Sequence, residues 1–422
     1  MIFPERDMEK VLGLMMNNVI TKENVISGQK CLPGAIVASP STPDDPETDQ
    51  NYNYDWVRDS AITMLCIIET IKKTGKTELK RIIWNYIEFV SEVQRNSSDV
   101  SLGYARWKLD GKPSDKWSIQ NDGPALRIIA ICHAIEIINE QHFYQKALQC
   151  IRIDGDYICR KHDDLTCDIW EGFTGSHFFV KIVMRKALYE ILKHGISLND
   201  HSHNNINAII HKIGLNIRKH WTKNYYNSQS DSNIDIGNDV NMAVVMGLKY
   251  GEYENDHYML SSRESMLTIA KTISMFSKHF SINTVDDKLG IGPSIGRYPS
   301  DNYDGDILDD YDKPDDVLDF GHPWFICTNT MAYCFYRIAE CAKTNNDVLN
   351  NANNIFETTF SDYTDIVKFG NKFIFATRRH WDNCHMSEQY DRNTGYMRSV
   401  RDLTWSYSTY LSAHWKYYDV IK

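Results

Sequence analysis

Apolar residues recur at helical spacing along almost the whole chain, and this limits the fold more than any other feature. Runs over residues 5–20, 60–73, 77–95, 124–140, 141–160, 176–194, 203–221, 239–249, 262–280, 324–343, 345–360 and 403–418 each read as helix. Several carry start or stop signals. Pro124 follows Asp122-Gly123 at a helix opening, Gly195 stops the run from Ser176 to His194, and Pro323 opens the run from Trp324 to Ala342. Strand signals are short and few, at Gly34–Ser39 and Lys372–Ala376. So many helices with scarcely any sheet predict an all-α fold. No linker rich in Pro, Ser or Gly interrupts them, so a single domain over residues 1–422 is expected.

Composition excludes several classes of function. The 46 basic and 56 acidic residues give a net charge of −10, which argues against electrostatic binding of nucleic acid or an anionic membrane. No run of 18 apolar residues exists, so no membrane span is expected. Residues Met1–Lys10 are charged and lack the apolar core of a signal peptide, which leaves the compartment open: inside the cell, or exported by another kind of signal. None of the ten cysteines forms a CxxC pair. Cys327, Cys334 and Cys341 recur every seven residues along one helical face and read as small buried apolar groups. The stretch 301–319 holds nine aspartates but misses the calcium-loop spacing, so it reads as a solvated acidic loop. No metal site and no cofactor are expected.

Six polar-aromatic segments fall just before helices or in loops leading to them: Tyr52–Asp59, Trp117–Pro124, Asp168–Gly172, Gly296–Pro299, His322–Phe325 and Ser387–Asp391. If alternate helices form an inner ring, their N-terminal ends gather these segments at one mouth. Trp or Tyr beside charged groups suits a sugar, whose C–H face packs on a ring while its hydroxyls need donors and acceptors. A single such pair is more often a core edge or a surface ion pair; six near helix starts are harder to dismiss.

Two carboxyls stand out. Glu171 follows Trp170 among Ile169, Phe173, Phe178 and Phe179, a setting that should keep it protonated and fit to donate a proton. Glu388 has polar neighbours in Ser387-Glu388-Gln389-Tyr390-Asp391 and should stay ionised, able to activate a water. Two carboxyls in unlike environments are the minimal apparatus of glycoside hydrolysis. From spacing alone, with 217 residues between them, each is better read as a helix-start carboxylate favoured by the dipole. Asp59 could cap a helix beginning at Ser60, with Arg58 in a surface ion pair; the functional alternative is that the two grip sugar hydroxyls. Motifs for a serine-hydrolase elbow, a phosphate-binding loop, a dinucleotide fold or a HExxH zinc site are absent.

Together the segments carry a resemblance. Tyr54–Ala61, Asn121–Arg127, Asp168–Glu171 with Gly175–Phe179, Gly296–Asp301, Pro323–Thr328, and Ser387–Asp391 followed by Arg401–Tyr407 stand in the order found in glucoamylases, glycoside hydrolase family 15. The resemblance covers nearly the whole chain. It implies an (α/α)6 barrel, with Glu171 as general acid and Glu388 as general base. It implies that Arg58, Asp59 and Arg297 clamp the terminal glucose, that Tyr52 lies beside the reacting carbon, and that Trp117, Trp170 and Trp324 are pocket walls. The implied activity is inverting release of β-glucose from non-reducing ends of α-1,4-glucans, acting as a monomer on a glucan or maltooligosaccharide. An inverting pair stands roughly 6.5–9.5 Å apart. Three departures accompany it. Gly172 replaces the second Glu that often follows the acid, His322 replaces the usual Asn, and the Trp117 segment is spaced one residue differently from fungal relatives. No separate starch-binding domain is read, which favours soluble starch, glycogen and maltooligosaccharides over raw granules. A relative cleaving trehalose or an α-1,6-glucan would share the terminal-glucose residues. The fold also serves as a non-catalytic regulatory domain in the large subunits of phosphorylase kinase; the joint presence of both carboxylates counts against that reading.

Overall fold

The helical periodicity resolves into fourteen α-helices among the described residues of a computed structural model, which are 2–43, 50–114, 118–230, 240–254, 256–305 and 321–422. In chain order they are α1 (Glu5–Asn17), α2 (Val57–Thr74), α3 (Lys80–Arg95), α4 (Asp122–Ile135), α5 (Gln141–Lys161), α6 (Phe178–Lys193) and α7 (His203–Arg218). The second half holds α8 (Met242–Tyr250), α9 (Arg263–Phe276), α10 (Ser281–Lys288), α11 (Phe325–Ala342), α12 (Asn346–Phe356), α13 (Tyr363–His380) and α14 (Thr404–Ile421).

Burial sorts the helices into two layers. Helix α8 buries eight of its nine residues, and α11 buries residues around its whole circumference. A helix apolar all round must be surrounded by protein. Helix α7 buries only Ile206, Ile210, Ile213 and Ile217, one stripe at helical spacing, each worth roughly 1.5–3 kcal/mol when removed from water. The neighbours of the buried helices close a ring: α2 packs on α4, α4 on α6, α6 on α8, α8 on α11, α11 on α14, and α14 on α2. Helices α1, α3, α5, α7, α9 and α13 lie outside, on α14, α5, α4, α6, α8 and α11 respectively. This is the all-α (α/α)6 barrel that the resemblance implied.

Among the described residues, four two-stranded antiparallel ribbons decorate the ring: β1 (Asn24–Ile26) with β2 (Gln29–Cys31), β3 (Asp55–Trp56) with β4 (Arg106–Trp107), β5 (Thr166–Cys167) with β6 (Thr174–Gly175), and β7 (Gln389–Tyr390) with β8 (Met397–Arg398). The last three stand at the entries to inner helices. Helix boundaries apart, the structure departs from the sequence reading in four places. Ser281–Lys288 forms α10, where no helix is expected. Lys372–Ala376, expected as a strand, is part of α13. Gly34–Ser39 forms no named strand, only a bridge between Ile36 and Val19. Helix α2 begins at Val57, so Asp59 sits inside its first turn and is not its cap. The ten cysteines are unpaired, and no described helix is long and apolar enough to cross a membrane.

Candidate active site

The N-terminal ends of the inner helices surround a cavity of about 590 Å³. Eight of the nine residues singled out in the sequence line it: Tyr52, Arg58, Asp59, Trp170, Glu171, Arg297, Trp324 and Glu388. The ninth, Trp117, lies outside the described residues, as does 306–320 of the acidic stretch.

Glu171 stands at the tip of the β5–β6 hairpin. One oxygen of Asp168 accepts the backbone N–H groups of Gly172 at 2.8 Å and Phe173 at 2.9 Å, and the Asp168 carbonyl accepts that of Glu171 at 3.1 Å. This tight turn holds Glu171 at φ 65°, a left-handed conformation that non-glycine residues seldom adopt. Its Oε1 accepts Trp56 Nε1 at 2.9 Å and Gln120 Nε2 at 3.1 Å. A Cβ on Gly172 would meet only Asp168 Oδ1, at 3.9 Å, so the flank next to Glu171 is open.

Glu388 immediately precedes β7. Its backbone N–H bonds the Val400 carbonyl at 2.9 Å, and Tyr390 N–H bonds the Pro323 carbonyl at 3.1 Å, which ties this hairpin to the start of α11. Three hydroxyls donate to the carboxylate: Tyr52 to Oε1 at 2.9 Å, and Ser399 at 2.6 Å and Tyr303 at 3.1 Å to Oε2. Burial raises the Glu388 carboxyl above its usual range, and those donors together with the Arg297 charge restrain the rise by favouring the ionised form. The expected contrast of environments is thus redistributed. Glu388 is only 3% exposed, whereas Glu171 is half-buried, and Phe178 and Phe179 point into the core. The rings of Tyr52 and Trp56 lie 5.2 Å apart, so a pair of packed aromatics links the partner of one carboxyl to the partner of the other.

Arg58 and Asp59 enter on the first turn of α2, both buried. Arg58 Nη1 donates to Gln120 Oε1 at 2.5 Å and Asp122 Oδ2 at 3.2 Å, and its guanidinium lies 5.1 Å from the centre of the Trp405 ring. Burial raises Asp59 to about 7 despite the pull of Arg58, with Glu171 and Asp122 adding repulsion. Arg58 Nε and Asp59 Oδ2 stand 3.6 Å apart, too far for a hydrogen bond, and each is buried without another partner. Such groups lining a cavity have bonding capacity left for a polar ligand. Arg297 is held by a two-point fork on Asp301, at 2.7 and 2.6 Å, and packs 4.7 Å from the centre of the Tyr303 ring and 5.1 Å from that of Trp324. Trp170 Nε1 donates to Asn241 Oδ1 at 2.8 Å, which fixes one wall at the start of α8.

Sequence reasoning passed over Trp56, Gln120 and Trp405, although all three lie in the quoted segments. It also passed over Tyr303 and Ser399, which occur in loops with no periodic signal. Gly305 marked the latter contact. It has φ 87°, and a Cβ there would fall 2.4 Å from Ser399 Cβ, so only glycine lets the Tyr303 loop lie against the Glu388 hairpin.

The architecture is shared with known proteins. The chain superposes on a glucoamylase from Saccharomycopsis fibuligera with a TM-score of 0.82 at 24% identity, over 99% of this chain and 95% of that one. It superposes on the Hormoconis resinae glucoamylase with a TM-score of 0.80 at 22% identity, over 97% and 72%. In sequence it is 27% identical to a probable glucoamylase of Schizosaccharomyces pombe, over 95% of this chain and 88% of the relative. The model of the family described as Glycosyl hydrolases family 15 matches residues 9–415. With the ring of helices and nearly the full sequence matched alike, this chain belongs to glycosyl hydrolase family 15.

Proposed function

We propose that this chain is an exo-acting, inverting glycosidase of the glucoamylase type, releasing β-D-glucose from non-reducing ends of α-1,4-glucans such as soluble starch, glycogen and maltooligosaccharides. The carrying observation is that Glu171 and Glu388, distant in sequence, line one cavity with unlike partners. Relatives called glucoamylases support the substrate class. In this reading the chain works as one catalytic domain and as a monomer.

Glu171 gives its proton to the glycosidic oxygen as the bond from that oxygen to the anomeric carbon breaks. Glu388 takes a proton from the water that attacks the opposite face of the same carbon. One water is consumed, and the configuration inverts. Three hydroxyl donors favour the ionised form of Glu388 that this task needs, and a carboxyl raised by burial is a stronger base than an exposed one. Arg58, Asp59 and Arg297 hold the hydroxyls of the terminal glucose. Tyr52 flanks the reacting carbon, and Trp117, Trp170 and Trp324 wall the pocket.

The test is product analysis across maltooligosaccharides, soluble starch, maltose, isomaltose and trehalose. Glucose as the first product from maltooligosaccharides and soluble starch, faster than from isomaltose or trehalose, is expected. Gly172 leaves the leaving-group side open, which is why the other two linkages belong in the panel. Preference for trehalose or isomaltose would reassign the linkage, and sugar binding without turnover would make the chain a regulatory domain.

A further inference from the structure

The barrel contains a second cavity, of about 250 Å³, further along the inner helices. Each inner helix lines it through its later residues: Leu65 and Glu69 of α2, His133 of α4, Lys186 of α6, Lys249 of α8, Tyr333 of α11 and Trp415 of α14 among them. On α2, Glu69 lies eleven residues beyond Arg58, or about 16 Å along the axis. The second cavity therefore lies deeper along the same ring, from Ile62 and Ser408, three residues beyond Asp59 and Trp405 of the first, to Glu69 and Trp415.

Every other charged side chain lining this cavity has an ion-pair partner. Glu69 pairs with Lys73 at 3.3 Å, and Glu252 with Arg337 at 3.1 Å. Lys186 pairs with Glu190, and Lys416 with Glu340 at 3.1 Å and Asp419 at 3.5 Å. Burial lowers His133 to about 4, so it is neutral at pH 7. Lys249 differs. It is 7% exposed and meets no carboxylate among the described residues. Its ammonium lies 4.6 Å from the centre of the Tyr250 ring and 4.4 Å from that of Tyr333, and its hydrogen bond goes to the Tyr250 hydroxyl at 3.3 Å. Burial lowers it to about 8, which still leaves it mostly charged at pH 7. Two aromatic faces attract a cation but do not neutralise it, and an ammonium has three N–H groups to satisfy.

The shape of the cavity narrows what could complete that charge. A volume of 250 Å³ is the share of about eight waters, too large for a lone halide. A single ammonium without a carboxylate partner matches a monoanion better than a dianion. Among the paired charges, serines and aromatic rings of the lining stand three aliphatic side chains, Ile62, Leu65 and Ile129. An unpaired ammonium and an aliphatic patch in one cavity suit a small amphiphilic molecule.

We propose that this cavity is a second ligand site that takes a small monocarboxylate, with its carboxylate on the Lys249 ammonium and its short carbon chain toward Ile62, Leu65 and Ile129. Tyr250 lines this cavity. Its hydroxyl receives Lys249 on one side and lies within electrostatic reach of Asp59, in the catalytic cavity, on the other.

The test is calorimetric titration of the full chain with butyrate at pH 7, with chloride titrated separately and no sugar present. Saturable one-to-one binding of butyrate to the wild type is expected, weakened at least tenfold in Lys249→Met, which keeps the length and removes the charge. No saturable binding of butyrate, equal binding to the variant, or binding of chloride in preference to butyrate would overturn the proposal. A crystal of the unmodified chain soaked in butyrate gives an answer that does not depend on the variant folding. Density against Lys249 Nζ supports the site, and its absence there refutes it. Because no glucan is involved, the outcome is separate from the test of hydrolysis.

Discussion

At the scale of single residues, the account rests on two carboxyls held by different chemistry. Glu171 accepts two N–H groups on one oxygen, and Glu388 accepts three hydroxyls spread over both. Glutamine at either position preserves size and removes the acid or the base. Glu171→Gln and Glu388→Gln are each expected to lower kcat by roughly 10³-fold, within the range of general acid–base contributions, with KM little changed. Steady-state kinetics on maltoheptaose checks this, and a wild-type kcat in both would remove the assignment. Ser399 offers a subtler case. Its hydroxyl stabilises the ionised form of Glu388, so Ser399→Ala raises the carboxyl further. The base works only when ionised. The acid limb of the kcat/KM profile is therefore expected to move to higher pH, with activity lost first at low pH. An unmoved limb would separate Glu388 from that ionisation.

At the scale of elements, the inner ring depends on close helix contacts. A Cβ on Gly247 of α8 would lie 3.2 Å from Ile182 Cγ2, Phe178 Cδ1 and Phe179 Cα of α6. The last of these is backbone and cannot rotate away. Gly247→Ala is expected to cost about 1–3 kcal/mol by overpacking, outweighing alanine's better helix propensity. Urea unfolding measures it, and an unchanged midpoint would show that the ring has slack there. Much of this architecture was legible in the sequence, because buried helices and striped helices both leave a period of 3.6. The misses have physical causes. Helix α13 was overlooked because Phe373-Ile374-Phe375 mimics a short strand; the helical stripe of Ile366, Val367, Gly370, Phe373, Ile374 and Thr377 shows only over the longer window. The start of α2 was placed three residues late because Trp56 caps nothing with its side chain. Among site residues, those on inner-helix entries were readable from local composition. Tyr303 was not, because it reaches Glu388 through a loop crossing that a glycine turn at 305 permits, and Ser399 was not, because it meets Glu388 only once the β7–β8 hairpin pairs.

At the scale of the whole molecule, six inner helices starting at one mouth bring segments from residue 52 to residue 405 around a single hollow. That convergence brings scattered Trp, Arg and Glu residues into one cavity, with Arg58, Asp59, Arg297 and Glu388 buried and Glu171 half-buried. The net charge of −10 offers no attraction to an anionic polymer, whereas a glucan is neutral and is met by ring faces and hydrogen bonds instead. A water activated by Glu388 while Glu171 protonates the departing oxygen must leave the new hydroxyl on the face opposite the bond that broke. Proton NMR of the earliest products from maltoheptaose tests this most directly. The account predicts that β-glucose appears first and relaxes to the anomeric mixture, whereas α-glucose appearing first would contradict it.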